Sequence, residues 1–132
     1  MDLDVMEVEY AMVTDIFVVL VALEALFIMG LEIFGTQTAM ARRAFGLSRE
    51  YLATRTARSA MANQGLYNGF VGVGLLYARY GLTGAAAYRM QLVFVGFVVV
   101  AAIFGALTAN KQIILTQGSP AIVALLLLLL LH

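Results

Sequence analysis

The sequence predicts an all-α fold, an integral membrane four-helix bundle with an interfacial helix or loop between helices one and two. Three observations carry this expectation. Of 132 residues, 63% are hydrophobic and 12% are charged, against roughly half and about a quarter in soluble domains, and the mean hydropathy is +0.95. Four apolar stretches each approach the roughly 20 residues that cross about 30 Å of hydrocarbon as a helix. They are about twice as long as a barrel strand and lack inside-outside alternation, so helices are the way their backbones can be satisfied in lipid.

The chain reads as a single transmembrane domain over residues 1–132, with spans at approximately 15–34, 60–78, 90–108 and 113–131. Before the first span stand Asp2, Asp4, Glu7 and Glu9, where a cleaved signal peptide carries positive charge, so the span is expected to be retained. Between the first two spans, Gly35 to Ser59 mixes Arg42, Arg43, Arg49, Arg55 and Arg58 with Phe45, Leu47, Tyr51 and Leu52. Ser48 suits the N-cap of a short helix through Glu50 and Leu52, which would lie among lipid head groups with its arginines toward phosphates. The plainer reading gives those arginines only the setting of topology. The second span carries Gly65, Gly69 and Gly72 on one face, opening with a GxxxG spacing that admits a neighbouring backbone. That neighbour is either a helix of the same chain or a second copy in a homo-oligomer through helix two. In the third span Gly96 is expected on a less crowded face. Pro120, the sole proline, should bend the fourth span or free a carbonyl near Thr116.

Orientation follows from the positive charges. The first and third loops hold Arg42, Arg43, Arg49, Arg55, Arg58 and Lys111, and the second loop holds Arg79 and Arg89. Six against two places the arginine-rich loop in the cytoplasm and both termini outside. The expected location is the bacterial cytoplasmic (inner) membrane, crossed several times, with membrane lipid as the surrounding partner.

Polar residues inside spans are costly, so their depth is informative. Counted from the cytoplasmic end, Glu32, Asn63, Gln64 and Gln117 fall at nearly one depth, Asn68 about a turn deeper, and Glu24 near the middle of helix one. The outer half is almost wholly apolar. This pattern predicts a polar cavity open to the cytoplasm, lined by Glu24, Glu32, Asn63, Gln64, Asn68 and Gln117, with Glu24 at its floor. Glu24 is expected to share the cavity with Asn68, and Glu32 to meet Asn63 or Gln64. A carboxylate at bilayer centre costs about 2.5 to 3.5 kcal/mol on insertion scales. The plainer use of these groups is to tie helices together, at about 1 kcal/mol per hydrogen bond.

Several residues taken together resemble a known family. They are Val21-Ala22-Leu23-Glu24, Ile28-Met29-Gly30-Leu31-Glu32, Phe45-Gly46-Leu47-Ser48, and the run Ala62-Asn63-Gln64-Gly65-Leu66-Tyr67-Asn68-Gly69. With Gly105-Ala106-Leu107-Thr108, Asn110-Lys111, Gln117 and Pro120, this pattern is similar to the family called domain of unknown function 1304. The resemblance implies a small bacterial four-helix membrane protein and supplies no activity. Members commonly place a histidine after the first glutamate, where this chain has Ala25, which weakens any mechanism built on a Glu-His pair.

Composition narrows the chemistry further. There is no cysteine, and the one histidine, His132, is the last residue, so no metal site, cofactor or catalytic residue is expected. Balanced charge argues against nucleic acid as a partner. The favoured reading is a protein of undetermined activity, not an enzyme, that binds or moves a small or amphipathic solute of unknown identity through the cavity. The alternatives are an accessory subunit of a membrane complex, or an intramembrane enzyme acting on a lipidic substrate with Glu24 or Glu32 as acid or base.

Overall fold

The structure is a computed structural model that describes residues 2–130. Leu131, at the end of the fourth expected span, and His132 lie outside the described residues. Every regular element among the described residues is helical: α1 Leu3–Phe34, α2 Ala39–Phe45, α3 Arg49–Leu52, α4 Arg55–Tyr80, α5 Gly84–Thr108, a π-helical turn Ile114–Gly118, and α6 Ser119–Leu130. Two helices, α1 and α5, are long and apolar enough to cross a membrane, and Ile114–Leu130 forms a shorter apolar helical segment.

Six helices and a π turn therefore replace the expected four long helices and one interfacial segment, for reasons that are local. Thr38 caps α2, its Oγ1 accepting from the Ala41 amide at 3.2 Å, and Gly46 ends that helix in the left-handed conformation at φ 66°, which a residue without Cβ adopts freely. Ser48 then caps α3, its Oγ accepting from the Tyr51 amide at 3.2 Å. One turn later Thr54 caps α4 through the Ala57 amide at 3.2 Å. Three closely spaced caps divide the loop into two short helices and an early start for α4. The loop closes on itself through Gln37, just after α1, whose Nε2 donates to the Leu52 carbonyl at the end of α3 at 2.7 Å. At the other end of the chain, Pro120 lacks the amide that Thr116 would accept from and crowds that carbonyl. The backbone answers with the wide π turn just before it, and Ser119 Oγ donates to the Ile114 carbonyl at 3.3 Å.

The first helix is the longest departure from expectation, beginning twelve residues before the predicted span at Asp15. Asp2 caps it, accepting from the Asp4 amide at 3.4 Å, and acids in a first turn suit the helix dipole. Its 32 residues extend about 48 Å at 1.5 Å each, well beyond the hydrocarbon thickness of about 30 Å.

The long segments pack side by side. α1 lies against α4 and α6, and α5 against α4, α6 and the π turn. The core is small and apolar, with Val18, Val21 and Ala22 from α1, Leu75 from α4, Val95 from α5, and Ala121, Ala124 and Leu128 from α6. The closest approach is antiparallel, between α1 and the glycine face of α4. A Cβ built on Gly72 would stand 2.9 Å from the Ala22 carbonyl oxygen and 2.8 Å from Leu26 Cγ. One built on Gly65 would stand 2.9 Å from Glu32 Cβ and 3.2 Å from the Met29 carbonyl oxygen. At Gly69 the obstacle is the flexible Met29 thioether, and at Gly96 nothing lies within 4 Å. The neighbour that the glycine stripe admits in this chain is thus its own first helix.

Substitution should follow that order. Gly72→Ala and Gly65→Ala press on backbone and are expected to destabilise the protein by about 1–3 kcal/mol. Gly69→Ala should cost less, and Gly96→Ala should be neutral or stabilise by about 0.5–1 kcal/mol through helix propensity. Thermal melting of the four variants in one detergent checks the ranking, and a Gly72→Ala melt equal to that of Gly96→Ala would contradict it.

Candidate functional site

Glu32 is the most deeply placed charged-type residue, fully buried at 0% exposure near the C-terminal end of α1. The space it occupies exists because Gly65 opposite has no side chain. Its Oε1 accepts from Asn68 Nδ2 at 2.5 Å, while its Oε2 is buried without a hydrogen-bond partner among the described residues. The pairing differs from the expected one with Asn63 or Gln64, both of which are exposed. Helical phase explains the difference. At 100° per residue, Asn63 and Gln64 sit about 200° and 100° around α4 from Gly65, whereas Asn68 sits about 60° from it and faces α1.

Asn68 also lines a cavity of about 130 Å³, together with Glu24 from α1 and Gln117 from the π turn. The remaining walls are Val21, Ala25, Ile28, Val71, Phe97, Val98 and Ala101. The cavity is therefore apolar with three polar groups, rather than polar along its length. A groove of about 380 Å³ adjoins it, sharing Glu24, Ile28 and Gln117, and continues past Leu31, Gln112 and Thr116 to Arg43 and Phe45 of α2. Glu24 and Gln117 thus stand where the cavity and the groove meet. The π turn matters here, since widening the helix changes the direction in which Gln117 projects, and such turns recur at functional sites.

Of the residues singled out from sequence, Glu24, Asn68 and Gln117 share one cavity. Glu32 is joined to them through Asn68, and Asn63 and Gln64 stand apart. Gly65, Gly69 and Gly72 shape the site by bringing α4 onto α1. Among the described residues no group of three or more histidine, cysteine or acidic side chains is placed to hold a metal.

A second polar cluster escaped the sequence reading. At the opposite end of the contact between α1 and α4, Arg79 Nε donates to Asp15 Oδ1 at 2.5 Å and its Nη2 donates to Asp15 Oδ2, a two-pronged ion pair. The guanidinium also lies 5.0 Å from the centroid of the Tyr80 ring. Beside it is a hollow of about 370 Å³ bordered by Thr14, Tyr88 and Gln91 among others. The signal was available, because Asp15 opens the first apolar span and Arg79 closes the second, which places both at one level in an antiparallel pair. Both side chains are about a third exposed, so the pair adds at most about 1 kcal/mol. Its charges are matched to each other.

The Glu32–Asn68 bond can be measured directly. A double-mutant cycle through Glu32→Leu, Asn68→Leu and the pair should return a coupling of about 0.6–2 kcal/mol, read from reversible unfolding in detergent. Additive single effects would show that the bond contributes nothing.

Comparison with known proteins adds the family. A family model described as "Protein of unknown function (DUF1304)" matches residues 19–129. "Uncharacterized protein YpaA" of Lactococcus lactis subsp. lactis (strain IL1403) is 41% identical over 113 residues, which cover 86% of this chain and 93% of that protein. No solved structure matches the chain. Both the glycine-faced helix contact and every residue of the cavity fall inside the matched span, and the chain belongs to the DUF1304 family.

Proposed function

We propose that this protein is a four-helix integral membrane protein that binds or moves a small or amphipathic solute through the cavity at Glu24. The observation that carries the reading is convergence: Glu24, Asn68 and Gln117 come from three separate helical segments onto one cavity, and its adjoining groove reaches the arginine-rich end of the molecule at Arg43.

The surface supports a bilayer setting. The accessible area is 8396 Å², whereas a compact soluble protein of this mass would expose about 6800 Å². Phe27 on α1, Phe70 and Tyr77 on α4, Phe104 and Leu107 on α5, and Leu126 and Leu129 on α6 are among the exposed large apolar side chains. Lipid is the cover that fits apolar faces on all four long segments. In this reading α1, α4, α5 and the π turn with α6 are the four spans. The arginines of α2, α3 and the start of α4 lie at the cytoplasmic surface of a bacterial membrane, and both termini lie outside.

The energetics favour ligand work over glue. A hydrogen bond between helices in lipid contributes about 0.6 to 2 kcal/mol, while a buried polar atom left without a partner costs about 1–3 kcal/mol. Glu32 has one of each, so its retention as a purely structural tie gains little. The accessory-subunit reading loses its specific support, since the glycine face it would use is occupied by α1.

Because the chain contains no cysteine, single cysteines report access cleanly. Ser48→Cys and Gln117→Cys are expected to react with an impermeant thiol reagent in inside-out vesicles and not in right-side-out ones. Thr83→Cys should behave oppositely, and Leu75→Cys, at a position that is 0% exposed, should react in neither. Labelling of Thr83→Cys from the inside would overturn the orientation, and an inert Gln117→Cys would overturn the open cavity.

A further inference from the structure

The chemistry of the cavity points to the class of its ligand, an inference that rests on the binding role proposed above. We propose that the cavity takes a small organic cation with an apolar body, such as an alkylammonium or arylammonium ion. Glu24 is the one ionisable side chain in its lining, and its carboxyl makes no hydrogen bond or ion pair with any described residue. Asn68 gives one Nδ2 hydrogen to Glu32, and its carbonyl oxygen Oδ1 is left able to accept from a ligand. Gln117 can present its own carbonyl oxygen beside it. The polar groups thus offer acceptor oxygens around one carboxyl group that has no ion-pair partner among the described residues, and their complement is a positively charged N–H donor or ammonium. An anion would meet Glu24 at close range, and a neutral hydrocarbon would give no partner to Glu24, to Gln117 or to the Asn68 oxygen.

Size and walls agree with this chemistry. A cavity of about 150 Å³ lined by apolar side chains holds a benzene molecule, so about 130 Å³ suits a body of that order. Phe97 adds an aromatic face, to which cations are attracted. A longer chain on the same head group has room in the adjoining groove, which begins at the same Glu24 and Gln117. Arg43 lines that groove and not the cavity, so the positive head belongs at Glu24, away from the arginine.

The probes are benzylammonium, benzyl alcohol and benzoate, matched in size and differing in charge, each measured by equilibrium dialysis against the full chain in a neutral detergent at neutral pH. Benzylammonium is expected to bind at least tenfold more tightly than benzyl alcohol, and benzoate more weakly than either. Glu24→Gln should reduce benzylammonium to the level of the alcohol, Glu24→Asp should keep the preference, and Asp15→Asn, at the far end, should change nothing. Melting of each variant without probe establishes that it folds. Equal binding of benzylammonium and benzyl alcohol, unaffected by Glu24→Gln, would overturn the cation class while leaving the cavity as a binding site. Binding of none of the three would overturn both this inference and the role it rests on.

Discussion

The approach of α4 to α1 over Gly65, Gly69 and Gly72 is the constraint on which the rest of the molecule depends. At Gly72 and Gly65 the opposing helix presents backbone carbonyl oxygens about 3 Å from where a Cβ would stand, a spacing no larger residue tolerates without displacing a helix. Three consequences follow from that one contact. Glu32 can be buried completely, because its side chain lies over a glycine. Asn68, one turn beyond, is brought within hydrogen-bond range of it. The antiparallel register then carries Asp15 to Arg79 at the far end, so two polar pairs near opposite ends of the interface fix the sliding and rotation of the helices that the glycines alone would leave free.

The cavity is the complement of this tight contact. Where α1 and α4 touch, the helices leave no room, and the space appears instead toward α5 and the π turn, with Phe97, Val98 and Ala101 across from Glu24 and Ile28. Pro120 contributes indirectly: by preventing a regular α-helix before it, it produces the turn that carries Gln117 into the lining. On the proposed binding role, a polar group at the junction of a small cavity and a larger groove would meet a solute that occupies either. That role would give the glutamate, the two amides and the proline a common purpose that helix packing by itself does not supply.

Much of this arrangement was legible in the sequence because it is written in depth. Apolar length marked α1 and α5, and counting residues from one end set Asn68 between the level of Glu32 and Gln117 and the deeper level of Glu24, which grouped all of them in one expected cavity. Depth does not encode phase, however, and this is why Asn63 and Gln64 were grouped with Glu32 although they project from another side of α4. The loop arginines similarly concealed α2, whose existence depends on the Thr38 hydroxyl more than on any apolar period, whereas Ser48 marked the start of α3. The first twelve residues of α1 read as a tail because of their acids, yet those acids sit among Leu3, Val5, Met6 and Val8 at a capped N-terminus, where they favour the helix. The π turn could be anticipated only as a disturbance near Thr116, since the sequence does not say whether a proline bends, breaks or widens the turn ahead of it.

The contact between α1 and α4 within one chain can be tested by covalent capture. A Cβ on Gly69 would lie 3.9 Å from Met29 Cβ, inside the separation of about 3.5–4.5 Å that disulfides require. In the otherwise cysteine-free chain, Met29→Cys combined with Gly69→Cys should oxidise in native membranes to a species that migrates as a monomer and no longer reacts with thiol reagents, while Gly69→Cys alone should form no dimer. Free thiols persisting in the double variant under oxidation, or a disulfide-linked dimer from Gly69→Cys alone, would show that the glycine face meets something other than its own first helix.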